Sequence, residues 1–208
     1  MKLVIFLYPG MTTLDMVGPH EVLARLPDAE VIRVAETAGP VMADTGLQVV
    51  ADAAISEVDS ADILLMPGGT DTWPLLGNEA VLEWVRAIDA GSQWTTSVCT
   101  GSLVYAAAGL LAGHKATTHW ATLDVLKEFG AEPVKSRVVE SGKYMTAAGV
   151  SAGIDMGLTL AARIAGDEFA QLMQLAIEYD PEPPFDAGSP EKAPHLKDAV
   201  IAALSPSG

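Results

Sequence analysis

The chain has a single cysteine, Cys99, among its 208 residues. One thiol excludes an internal disulfide and any zinc or iron–sulfur site built on several cysteines. Basic residues are also scarce: 12 Lys and Arg stand against 27 Asp and Glu, a formal net charge of −15. Such a balance argues against nucleic acid and anionic membranes as partners; it keeps the surface solvated. No apolar run reaches the ~20 residues of a membrane span. The apolar opening, Lys2 to Tyr8, is too short for one and carries no small-residue cleavage site. His20, His114 and His195 stand in no metal-ligand spacing. Gly68-Gly69 lacks the Gly-Lys-Ser/Thr of a phosphate loop, and no dinucleotide fingerprint follows the first apolar run. The expectation is a cytoplasmic protein with no metal, no cofactor, no membrane and no nucleic acid.

What is present is Ala, Val, Leu and Ile: half the residues are hydrophobic and only 6% aromatic. That suits helices packed on a buried sheet. The pattern predicts strands at 2–8, 30–35, 61–66, 94–98 and 115–118, a hairpin over 39–50, and a strand pair at 137–140 and 143–147. It predicts helices after Thr12 or Thr13, over 74–90, from Cys99 to Leu111, and over 121–129, 150–165 and 168–179. Alternation of this kind implies right-handed crossovers and a mostly parallel α/β sheet with helices on both faces. Residues 1–180 form one domain in this reading. Residues 181–208 form a Pro-rich arm and a short helix from Leu196 to Leu204. The stiff arm carries aromatic residues at its two ends, Tyr179 and Phe185, and is expected to dock at a dimer interface or near a cleft.

In parallel sheets the site lies at the carboxyl ends of the strands. Three loops leave those ends: the one reaching Asp15, Pro67-Gly68-Gly69-Thr70, and the corner at Cys99. A β-branched run ends abruptly at Cys99, and Gly101-Ser102 opens a helix, the pattern of a nucleophile elbow. A helix N-terminus facing the sulfur favours thiolate, so a depressed pKa is expected there. The backbone N–H of Thr100 and one from Gly68 or Gly69 would serve as oxyanion donors. Asp15, among apolar neighbours, is a proton shuttle with a raised pKa or a cap in the first helical turn. His119 reads first as a hydrogen-bonded structural residue. Trp120, Trp73 and Val150 would wall an apolar pocket.

Five segments carry a family resemblance: Leu14-Asp15-Met16-Val17-Gly18-Pro19, Met66-Pro67-Gly68-Gly69-Thr70, Ser97-Val98-Cys99-Thr100-Gly101-Ser102, Ala116-Thr117-Thr118-His119-Trp120, and Gly149 to Asp155. With the tail Glu178 to Phe185, they resemble the ThiJ/PfpI superfamily from Lys2 to about Pro190. The resemblance implies a flavodoxin-like fold, a homodimer and no cofactor. It implies Cys99 as nucleophile, Asp15 as acid/base partner and Thr100 beside the sulfur, with Gly68, Gly69, His119, Trp120 and Val150 around the substrate. Peptidase-like members place a His after the cysteine, where this chain has Thr100. Glyoxalase-like and deglycase-like members carry a Glu near it, where this chain offers Asp15. The branch most similar is the one that hydrates isocyanides to N-substituted formamides. Reactive-aldehyde chemistry and a non-enzymatic small-molecule or redox sensor are the alternatives.

Overall fold

A computed structural model of the chain describes residues 1–204. Its strands are β1 (Lys2–Phe6), β2 (Glu30–Ala35), β3 (Gly39–Met42), β4 (Gln48–Ala51), β5 (Ala53–Ala54), β6 (Ile63–Met66), β7 (Trp94–Val98), β8 (Lys115–Ala116), β9 (Glu132–Pro133), β10 (Val138–Ser141) and β11 (Tyr144–Ala147). Its helices are α1 (Thr13–Leu23), α2 (Glu79–Gly91), α3 (Gly101–Ala107), α4 (Val125–Glu128), α5 (Ala152–Ala165), α6 (Asp167–Ala176) and α7 (Lys197–Leu204).

Seven strands form the central sheet in the order β10-β11-β7-β6-β1-β2-β5. Every pairing in it is parallel except the β10–β11 hairpin. β1 and β6 lie at its centre, and Val4 to Phe6 and Ile63 to Met66 are wholly buried. Burying each such side chain contributes about 1.5–3 kcal/mol, so the two apolar runs place themselves inside. α1 packs on α5 and α5 on α6; α3 packs with α2 and α4. These are the two helical layers of a flavodoxin-like fold. The chain runs from β1 outward to β2, then returns to the other side of β1 at β6. That reversal opens a crevice at the carboxyl ends of the strands.

The expected strands at 30–35 and 94–98 and both hairpins are present, with bounds shifted by at most a residue or two. Five expected elements are shorter or broken by more than that, among them the helix expected over 168–179, which ends at Ala176. The helix expected over 74–90 is split: a 3-10 helix runs Thr70–Gly77, and α2 begins after Asn78, whose side chain accepts the Val81 N–H at 3.3 Å. The helix after Cys99 ends at Ala107, where Gly109 turns the chain with φ +82°. Residues 121–129 form a 3-10 turn and then α4 rather than one helix. The strand at 115–118 is only two residues long, because Thr117 and Thr118 turn to bond Thr146 and the Cys99 carbonyl.

Residues 181–193 contain no helix or strand. Glu191 pairs with Lys135, and Ala193 is buried, so the segment is tied to the body. α7 follows, and its last described residue, Leu204, lines the same cavity as Cys99.

Candidate active site

Cys99 sits immediately after β7 with φ +56°, in the left-handed region that non-glycine residues rarely adopt. The fold holds this strained corner in place. The Cys99 N–H donates to Ala147 and Ala148 carbonyls at 3.1 and 2.9 Å, and its carbonyl accepts from the Thr118 hydroxyl at 2.8 Å. The result is the elbow that the β-branched run and Gly101-Ser102 predict.

Asp15 lies on α1, not in a loop, and is completely buried. It does not cap the helix. The cap position is Thr12, and the Thr12 hydroxyl donates instead to Asp44 at 2.6 Å. Asp15 Oδ2 accepts the Gly68 N–H at 2.9 Å. Its Oδ1 has no hydrogen-bond partner. Burial pushes the Asp15 carboxyl up to about 7, with the Gly68 N–H and the Cys99 thiol pulling part of the way back. A carboxyl poised there can both take and return a proton near neutral pH.

The depressed thiol pKa expected from the helix terminus is not what this site produces. Burial, and then the neighbouring Asp15 charge, push the Cys99 thiol well above its ordinary value. The N–H groups of Thr100 and Val150 and the Thr100 hydroxyl oppose this only in part. The helix terminus acts on the sulfur through the Thr100 N–H, which does not offset desolvation. Above about pH 7 the pair therefore holds one proton, on sulfur, beside an ionised Asp15.

The glycine pair also has a different task from the one expected. The Gly68 N–H is engaged by Asp15, and the Gly69 N–H donates to the Thr100 hydroxyl at 2.9 Å. Neither is free as an oxyanion donor. The N–H groups that face the sulfur are those of Thr100 and Val150. What Gly68 supplies is close approach: a Cβ there would lie 2.5 Å from the Thr100 nitrogen and 2.9 Å from Cys99 Cβ. At Gly69 it would lie 2.4 Å from the Gly10 carbonyl oxygen.

A cavity of about 90 Å³ opens on Cys99 and is lined among others by Gly69, Trp73, Thr100, His119, Val150 and Leu204. Trp73 and Val150 stand where an apolar wall is expected. Trp120 does not: it faces a neighbouring cavity of about 500 Å³ and the groove beneath α7. His119 divides the two cavities. Its Nδ1 accepts the Ala121 N–H at 3.3 Å, and burial lowers its pKa, so it is a neutral wall. Among the described residues no three His, Cys, Asp or Glu side chains gather within reach of one metal ion.

Two features escape the sequence. One is a buried hydroxyl chain: Tyr8 bonds Thr72 at 2.8 Å, and Thr72 bonds Thr100 at 2.7 Å. It fixes the Thr100 side chain beside the sulfur. No spacing rule links residues 8, 72 and 100, which come from three different segments. The other is the backbone of the fourth loop at the crevice, after β11: Val150 is expected as a wall, but its N–H also faces the sulfur. Val150 sits at φ +27°, a second strained backbone facing Cys99.

A flavodoxin-like sheet carrying a lone cysteine at an elbow, backed by a buried carboxyl from α1, defines a class of protein. The chain belongs to the DJ-1/PfpI family, whose pattern matches residues 1–163. It is 48% identical over 188 residues to an isonitrile hydratase from Pseudomonas putida, covering 90% of this chain and 82% of that protein. It is 33% identical over 172 residues to the HTH-type transcriptional regulator CdhR of Pseudomonas aeruginosa, covering 79% of this chain and 51% of the regulator. Among solved structures, a ThiJ/PfpI family protein from Pseudomonas syringae matches with a TM-score of 0.94 at 41% identity, covering 98% of this chain and 85% of that one. Drosophila melanogaster DJ-1beta matches with a TM-score of 0.78 at 20% identity, covering 85% of this chain and 97% of that one, and shares the fold.

Proposed function

We propose that the protein is an isocyanide hydratase that converts R–N≡C and water to the formamide R–NH–CHO. The observation that carries this reading is the Cys99–Asp15 pair: a buried thiol against a carboxyl with one oxygen unpartnered and a pKa of about 7. The 48% identity to an isonitrile hydratase over most of both chains supports it. The terminal carbon of an isocyanide must gain both a nucleophile and a proton, and this pair supplies both.

In the first step Asp15 Oδ1 takes the thiol proton as sulfur bonds to the terminal carbon. Asp15 then gives that proton to the same carbon, leaving the thioimidate R–N=CH–S on Cys99. The N–H groups of Thr100 and Val150 offset the charge on sulfur while the bond forms. In the second step Asp15 takes a proton from water as the hydroxide adds to that carbon, and delivers it to nitrogen. Collapse of R–NH–CH(OH)–S breaks the C–S bond, and the hydroxyl proton returns to sulfur through Asp15. The products are R–NH–CHO and the free thiol, with every atom of the water accounted for.

Thr100 positions the sulfur, and Thr72 and Tyr8 position Thr100. We read residues 1–180 as the catalytic domain and residues 181–208 as an arm laid on it. We also read the molecule as a cytoplasmic homodimer. The family resemblance and the exposed Leu14 and Val17 of α1 favour pairing, and a reducing compartment keeps Cys99 a thiol.

The test is incubation of purified protein with an aryl isocyanide, with mass spectrometry of the product and of quenched enzyme. Formamide should accumulate, with an adduct of the isocyanide mass on Cys99. Cys99→Ala and Cys99→Ser should show neither. Turnover of methylglyoxal with none of isocyanide would replace this reading with aldehyde chemistry.

A further inference from the structure

α7 is held loosely but placed exactingly. None of its residues is buried. Val200 and Leu204 are four residues apart on one face of α7, and Leu196 ends the 3-10 turn that leads into it. Leu196 and Val200 line a groove with Trp120 and Pro190. Leu204, 38% exposed, reaches the Cys99 cleft itself. The segment therefore lines the outer groove at one end and the cleft at the other. With α7 in place the space before Cys99 is about 90 Å³, well under the ~300–1,000 Å³ of ordinary small-molecule pockets. That admits the isocyano group and a short chain.

From this we infer that α7 is the size filter of the site, and that Leu204 sets how large an R group reaches Cys99. This rests on the hydratase reading for its substrate class, but not for its geometry. The isocyano carbon must sit at the sulfur, at the closed end of the cleft, so the R group points outward toward Leu204. Bulky R groups require α7 to lift from its groove. Ala193 and the Glu191–Lys135 pair hold the preceding segment to the body, so the movement pivots after Ala193.

Two readouts test this. The first compares kcat/KM for n-butyl and naphthyl isocyanide in wild type, Leu204→Ala and Leu204→Trp. Leu204→Ala should raise the naphthyl-to-butyl ratio on the order of tenfold, the scale set by small changes in an apolar pocket, and Leu204→Trp should lower it. The second is alkylation of Cys99, the only thiol, by iodoacetamide and its N-naphthyl derivative. The large-to-small rate ratio should move in the same two directions, whatever the natural substrate. Leu196→Ala, which loosens the turn leading into α7, should shift both ratios toward the bulky reagent. If both ratios are unchanged in Leu204→Ala and Leu204→Trp, α7 is not a filter. If the alkylation ratio shifts while no isocyanide is turned over, the filter stands and the hydratase reading falls.

Discussion

Asp15→Asn should stabilise the protein while removing its chemistry. A carboxyl raised from 3.8 to about 7 by burial is one whose charge the fold disfavours. The sign follows from linkage. A group with a raised folded pKa contributes most below its unfolded pKa, and that contribution is lost as pH rises through the folded value. Wild type therefore bears no Asp15 charge near pH 4 and the full cost above about pH 7. Roughly three pH units at about 1.36 kcal/mol each make that cost ~4 kcal/mol. Asparagine keeps the size and can still accept the Gly68 N–H, but its amide hydrogens replace Oδ1, which has no hydrogen-bond partner in the fold. An unsatisfied buried donor costs about 1–3 kcal/mol, leaving a net gain of ~1–3 kcal/mol at pH 8. For a chain of this length that is roughly 2–12 °C in melting temperature. Denaturant unfolding of both proteins from pH 4 to pH 8.5 measures it. The stability difference should grow between pH 4 and 7 and then level off. A difference independent of pH would mean that Asp15 titrates as an ordinary carboxyl, and the acid/base argument would lose its basis.

The same titration predicts the rate profile: kcat/KM should rise with pH through about 7 and then hold level, since Asp15 must be ionised to take the thiol proton, and Asp15→Asn should lose turnover by about 10²-fold or more. Ultraviolet thiolate absorbance should be absent at pH 8, because burial and Asp15 keep the proton on Cys99; a thiolate signal at neutral pH would show that the Thr100 and Val150 N–H groups win instead. Thr72→Val removes one hydrogen bond each from the Tyr8 and Thr100 hydroxyls, which keep Pro67 and Gly69 as partners, for about 1–3 kcal/mol of stability at about 0.5–1.5 kcal/mol per bond; if Thr100 is positioned through it, kcat should fall with KM little changed. Gly68→Ala should lose most activity and melt lower, because the added methyl meets the Thr100 backbone nitrogen, the Thr100 hydroxyl and the base of Cys99 within 3 Å.

Much of this was legible in the chain. Apolar runs such as Ile63–Met66 bury themselves wherever they occur, so the central strands and the α/β alternation follow from local pattern. The abrupt end of β7 at Cys99, followed by Gly101, announced the elbow, and Asp15 among apolar neighbours announced a raised carboxyl. The helix boundaries at Gly77 and Ala107 were less legible, since caps and turns compete there with a continuing apolar stripe.

Tertiary structure decided the balance of forces at the site. Sequence placed a helix terminus behind the sulfur, but only the packed fold shows that desolvation and Asp15 outweigh it. Sequence offered two glycine N–H groups, but only the fold shows them already bonded to Asp15 and Thr100. Likewise the Tyr8–Thr72–Thr100 chain, the Val150 N–H and the reach of Leu204 to Cys99 join residues far apart in the sequence. Local pattern fixes which face of an element is apolar. Which N–H, hydroxyl or carboxylate finds which partner depends on distances of a few ångströms between elements, and those exist only once the sheet has closed around them.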